Sequence, residues 1–188
     1  MSPVCVPSGF TSEFLQNRHK YTHLKDSIAR AFETICKDKD IVVVEGTGHA
    51  GVGSILGLSN ATVAKMLGIP VILVAQGGIG SSIDELVLNA ALFQQEGVEI
   101  LGVLVNKVME GKYAKVKELV SGDLAYKGFD PLGFVPFRPS LSMPHVYQVC
   151  RRVGAEIIYG EDEMTEYVEN VAIAAMAPQN FIGRHAAQ

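Results

Sequence analysis

The 188-residue chain has no tryptophan, only three cysteines, no basic stripe and no apolar run long enough to cross a bilayer. Each shortage excludes something. Cys5, Cys36 and Cys150 are far apart, odd in number and without C-x-x-C spacing, which argues against a disulfide framework or a structural zinc site. A net charge of −4 with scattered lysines lacks the patch that neutralises a nucleic-acid backbone, so no nucleic-acid partner is expected. Lys, Asn or Gly interrupts every apolar stretch within a span too short for a membrane, and "MSPVCVPSGF" has no cationic segment leading into an apolar one. The expectation is a chain with no membrane partner, working in the cytoplasm.

What the chain does have is a high apolar fraction, 48%, arranged in short β-branched runs that alternate with helical patterns. A chain of this length buries roughly 70% of its unfolded surface, enough for one substantial core. "THLKDSIARAFETICKD" places Leu24, Ile28, Phe32, Ile35 and Cys36 on one helical stripe with Thr22 as the expected N-cap. "IVVVE" reads as a buried strand, and "SNATVAKMLG" as a short helix capped by Ser59 and ended by Gly68. "PVILVAQ" is the next strand. A helix then opens on Ser82 with Glu85 in capping-box spacing, presenting Ile83, Leu86, Val87, Ala90 and Ala91 before Gly97 stops it. "VEILGVLVNKV", a charged helix and "DPLGFVPF" complete the alternation, and a helix, a short strand and an acidic break follow the prolines.

Strands alternating with helices predict an α/β fold, a three-layer parallel sheet with helices on both faces. Ligands of such sheets sit at the carboxyl ends of the strands, here Glu45, Gln76, Asn106 and Pro136.

The glycine-rich stretch "DIVVVEGTGHAGVGSIL" admits three readings. Gly48 and Gly53 have Walker A spacing, but Ser54 and Ile55 stand where the phosphate-binding lysine and the magnesium-binding hydroxyl belong. Gly46, Gly48 and Gly51 spell the NAD(P)-binding Rossmann fingerprint, yet the next strand ends in Gln76 instead of the acid that holds a ribose. In the third reading Glu45 is an acid at a strand end beside hydrated magnesium, and the glycines leave room for phosphate. From spacing alone, a purely structural loop remains open as well.

The block from "VVVEGTGHAGVGSILGLSNATVAKMLGIPVILVAQGGIGSSIDELVLNAALFQQEGVEILGVLVNKV" to "PLGFVPFRPSL" resembles the dethiobiotin synthetase-like group of P-loop NTPases. That group includes the cobyrinic acid a,c-diamide synthases and the N-terminal domain of some phosphotransacetylases. The likeness covers most of residues 3–142 and extends to "PSGFTSEFL" before the first long helix. "VYQVCRRVGAEIIYGEDEM" and "VENVAIAAMAP" resemble, more weakly, the start of a regulatory DRTGG domain. The resemblance implies a nucleotide-binding domain over 1–142 and a linker with the start of a DRTGG-like domain over 143–188.

It also implies ATP and Mg2+ as cofactors, with Glu45 as the magnesium-associated acid. Gly46, Thr47, Gly48 and His49 then border phosphate and substrate, Asn106 and Lys107 meet the nucleotide base, and Pro136 and Phe137 close over it. Family members carry a strand and a Walker A loop ahead of the residues matched here, and no lysine of this sequence sits in a glycine-rich strand-to-helix turn. The expectation is a P-loop NTPase fold without its first strand, acting as a fragment or a non-catalytic nucleotide-binding or regulatory module. The alternative is an ATP-dependent carboxylate-amine ligase whose Walker A segment comes from an upstream-encoded second polypeptide. An apolar edge left by the absent strand, or the helix from Ser82, is expected to make the chain a homo-oligomer.

Overall fold

A computed structural model of the chain describes residues 3–171 together with 175, 177, 179 and 180. The chain forms two compact units, Met1–Phe137 and Arg138–Gln188.

In the first unit three strands, β1 (Val71–Gln76), β2 (Ile100–Val108) and β3 (Pro131–Pro136), form a parallel sheet in the order β1-β2-β3. Parallel neighbours need long crossovers. Here α4 (Ser81–Glu96) joins β1 to β2, and α5 (Tyr113–Tyr126) joins β2 to β3. The α/β class read from the sequence, a parallel sheet flanked by helices, is the one observed.

β2 is the middle strand, and its composition shows why. Val103, Val105 and Val108 are almost wholly buried, against Leu86, Ala90 and Phe93 of α4 and Val116, Val120 and Leu124 of α5. Those helix residues recur at three- and four-residue spacing, so each helix turns one apolar stripe to the core. Of the five residues expected on the α4 stripe, Ile83, Leu86 and Ala90 are buried, whereas Val87 and Ala91 are exposed. β1 pairs only with β2 among the described residues. Its side chains alternate accordingly, with Leu73 buried and Ile72 and Val74 exposed.

Ahead of the sheet lie α1 (Phe10–Gln16), α2 (Leu24–Cys36) and α3 (Asn60–Leu67). Phe10, Phe14 and Tyr21 cluster with ring centroids 5.1 to 6.5 Å apart, fixing α1 on the turn that follows it. The α2 stripe is only half-buried apart from Leu24. Ser59 caps α3 as expected, accepting from the Thr62 N–H at 3.0 Å, and Gly68 ends it in the left-handed region.

Four local expectations fail, each for a visible reason. "IVVVE" is not a strand: residues 41–45 join no ladder, and Ile41 and Val43 are 82% and 88% exposed. Strand propensity is realised only against a partner strand, and no described strand lies beside these residues. Thr22 does not cap α2, because it and His23 already have right-handed helical dihedrals where a single-turn helix runs into α2. α4 begins at Ser81, one residue before the expected capping box, and makes no side-chain cap. Among the described residues no strand follows the helix of the second unit.

That helix, α6 (Val146–Val153), is closed at its start by a reciprocal box: the Gln148 side chain accepts from the His145 N–H at 2.8 Å while His145 serves the helix in return. His145 also bridges Tyr167 as an isolated antiparallel pair with stacked rings. The DRTGG-like stretch "VENVAIAAMAP" falls partly outside the described residues.

Leu124 is fully buried between α5 and the sheet. Leu124→Ala is expected to cost about 2–5 kcal/mol through lost contacts and the cavity left behind. Urea unfolding checks this: the midpoint falls while the denaturant slope stays unchanged.

Candidate functional site

The carboxyl edge of the sheet carries an irregularity built into β2. Between the pairs Val105↔Phe134 and Val108↔Pro136, β2 uses one residue more than β3 and therefore bulges at Asn106–Lys107. Lys107 has φ +60, which is uncommon for a residue with a side chain. Three contacts hold it there. The Lys107 N–H donates to Asn106 Oδ1 at 2.8 Å, the Phe137 N–H donates to the Val108 carbonyl at 2.8 Å, and Gln76 stands in register with Asn106 on the other side.

Gly77 completes the arrangement. A Cβ at that position would lie 2.5 Å from Val108 Cα and 2.7 Å from the Lys107 carbonyl oxygen, so the chain leaving β1 presses directly on the bulge. Only glycine permits that approach. Tyr113, at the start of α5, donates its hydroxyl to the Phe134 carbonyl at 2.9 Å and ties β3 to the same end. The structure thus brings Asn106, Lys107, Pro136 and Phe137 together, with Gln76 beside them. Asn106, Pro136 and Phe137 are half-buried and Lys107 is exposed, so a ligand can reach them. With Asn106 Oδ1 turned to the backbone, the carboxamide has N–H donors left for a ligand.

Glu45, Gly46, Thr47, Gly48 and His49 lie in a second structure, the loop that leads into α3, and all five are exposed. Two asparagines fasten it. Asn60 Nδ2 donates to the carbonyls of Thr47 (3.0 Å) and His49 (2.9 Å). The buried Ala50 donates its N–H to Asn89 Oδ1 on α4 at 2.6 Å, and Asn89 Nδ2 is held by the Glu85 carbonyl at 2.8 Å.

Within the loop, His49 Nδ1 accepts from the Gly51 N–H at 3.2 Å, and the Ser54 hydroxyl donates to the Gly51 carbonyl at 2.6 Å. Gly53 has φ +93, and a Cβ there would fall 2.2 Å from the Leu58 carbonyl oxygen. Gly53 is required by this turn, so its Walker A spacing from Gly48 has a structural cause.

Asn60 and Asn89 were not singled out from the sequence, although Asn89 carried a signal. Asparagine is a poor helix former, and here it occupies the middle of a long helix beside the core residue Ala90. Among the described residues no three His, Cys, Asp or Glu side chains gather as metal ligands, so Glu45 stands alone as a carboxylate in its loop.

The family model described as AAA domain matches residues 1–145. Among curated proteins, the chain is 25% identical over 174 residues to a phosphate acetyltransferase of Nitratidesulfovibrio vulgaris, covering 89% of this chain and 25% of that protein. It is 24% identical to a cobyrinate a,c-diamide synthase of Caldanaerobacter subterraneus over 86% of this chain and 34% of that protein. To a cobyrinate a,c-diamide synthase of Fusobacterium nucleatum it is 38% identical over 110 residues, 56% of this chain and 24% of that protein. The chain spans about a quarter to a third of the length of these curated relatives. No solved structure matches significantly.

Asn89→Ala leaves the buried Ala50 N–H without an acceptor, at an expected cost of about 1–3 kcal/mol. Hydrogen exchange is the direct check. The amides of Ala50 and Ala61 should exchange about 5- to 150-fold faster, one decade per about 1.4 kcal/mol of lost protection, while those of β2 stay protected.

Proposed function

The chain belongs to the AAA domain family, and on that premise we propose that it is a P-loop NTPase-like module that holds a nucleotide weakly and does not turn it over by itself. One observation carries the proposal: the bulge at Asn106–Lys107, a strained backbone at the carboxyl edge of a parallel sheet, where such folds bind ligands. The Asn106 amide faces the base edge, Pro136 and Phe137 cover the base, and Lys107 flanks it. Glu45 fits hydrated magnesium, which commonly takes one or two carboxylates and completes its shell with water and phosphate oxygens. Its exposure leaves space for that shell, while the Asn60 carboxamide occupies the room beside Gly46. Magnesium would supply charge neutralisation of the phosphates, and Glu45 would position it.

The weakness follows from what these residues can offer. Micromolar affinity requires about 8 kcal/mol. Charge-assisted bonds from a lysine in a phosphate loop are a large part of that in this class, and the 188 residues hold no lysine in a glycine-rich strand-to-helix turn. Catalysis of carboxylate activation needs the same lysine to gather charge on the transferred phosphoryl group.

A Mg-ATP titration followed by amide NMR tests this. The expected result is movement of the Asn106, Lys107 and Phe137 resonances with a Kd weaker than about 100 μM, roughly 5.5 kcal/mol, abolished in Asn106→Ala. Low-micromolar binding would overturn the weak-module reading. Unmoved resonances at saturating nucleotide would overturn the nucleotide site.

A second reading has its own support. The exposed apolar residues Ile41 and Val43, and a β1 edge without a described partner, suit an added strand. In this reading the chain is an ATP-dependent carboxylate-amine ligase completed by a separate Walker A polypeptide. Mixing the chain with such a segment should then release phosphate from ATP in the presence of a carboxylate and an amine. No release above that of either component would remove this reading.

A further inference from the structure

We propose that the groove between α4 and α5 receives α6 from a second copy of this chain. The groove is a cleft of about 690 Å3 at the surface of the first unit. Ile83, Val87 and Leu88 of α4 and Leu119 of α5 supply its apolar wall, and Asp84 and Asp123 supply its charge. Three of the four apolar residues lie open: Val87 is 40%, Leu88 75% and Leu119 46% exposed. Exposed apolar side chains lining one groove mark an interaction surface more often than single scattered ones do.

Asp123 makes the groove specific for a cation. Its Oδ1 accepts from Lys127 Nζ at 2.9 Å, but its Oδ2 is out of contact with solvent and has no hydrogen-bond partner. A carboxylate oxygen left in that condition is costly, and a donor that reaches it recovers the loss. The side chain is 38% exposed and its terminal torsion is soft, so a small rotation presents the unsatisfied oxygen to the groove. Counting Asp84, Asp123 and Lys127, the groove has one negative charge in excess.

The second unit offers the complement. On α6, Val149, Arg152 and Val153 are spaced i, i+3 and i+4 and therefore share one face. All three are exposed, Val149 at 37% and Val153 at 70%, and Ile158 and Tyr159 just beyond the helix are 91% and 97% exposed. A guanidinium between two valines matches a carboxylate between leucines and valine, and arginine can bind a carboxylate through two parallel N–H donors.

The lengths agree too. Eight residues of α6 rise about 12 Å, the same as α4 from its cap at Gly80 to Leu88. A groove on one copy and α6 on another are different surfaces, so the contact is heterologous, joining copies head to tail.

Sedimentation equilibrium of the full chain, from about 1 to about 200 μM, covers the range in which a modest homodimer dissociates. Wild type is expected to dimerise reversibly. Arg152→Glu and Leu88→Glu, both at exposed positions, should each weaken the dimer at least about tenfold. Asp123→Lys should do the same, and mixing it with Arg152→Glu should restore association, since a contact between the two variants is either native or has both its charges exchanged. A wild type that stays monomeric overturns the proposal, as does a dimer indifferent to both Arg152→Glu and Leu88→Glu. A mixture no tighter than its separate components also overturns it. If Asp123→Lys does not fold, the two glutamate variants alone decide the matter.

Discussion

β2 is paired along both edges and buried among helix side chains, and the candidate nucleotide site is a consequence of that confinement. A residue such as Lys107 at positive φ carries strain of about 1–3 kcal/mol and persists only where its neighbours over-determine it. Here the ladder to β3 resumes beyond the bulge, the ladder to β1 runs up to it, and Gly77 closes the remaining space. If β2 slipped by one residue against its neighbours, Asn106 and Lys107 would exchange faces. The geometry of the site and the register of the sheet are therefore one property.

The loop carrying Glu45 is secured in a different way. Among the described residues no ladder holds 41–45, and the loop beyond them hangs on side-chain hydrogen bonds with Asn60 and Asn89. Such bonds contribute about 1 kcal/mol each, whereas β2 is held by many buried contacts acting together. One end of the proposed nucleotide site thus rests on the core and the other on two asparagines.

This difference also explains what could be read from the sequence. β1, β2, β3 and the helices between them were legible because their apolar residues recur at the periods that burial demands. Gly68 and Gly97 were legible as helix stops because the left-handed region favours glycine. "IVVVE" is richer in β-branched residues than β2 yet forms no strand among the described residues, because composition states a capacity for pairing and cannot supply the partner. The bulge left no periodic trace, since a bulge is defined by two strands together. Asn106 was legible as a strand end, its nucleotide role and Lys107 came from the family resemblance, and Asn60 and Asn89 act across 11 to 39 residues of sequence and required the folded chain.

The unpaired segment bears on how a nucleotide would bind. A ligand engaging both the Asn106 bulge and Glu45 has to hold in place a largely exposed stretch that no described strand supports, at about 1–2 kcal/mol per residue fixed. That cost is subtracted from every contact with magnesium or phosphate. A strand paired with Ile41–Val44 would meet the ordering cost before the nucleotide arrived, and apparent affinity would rise by the fraction of chains so prepared. In the proposed reading, the backbone partner of this segment and the nucleotide are therefore thermodynamically coupled without needing to touch.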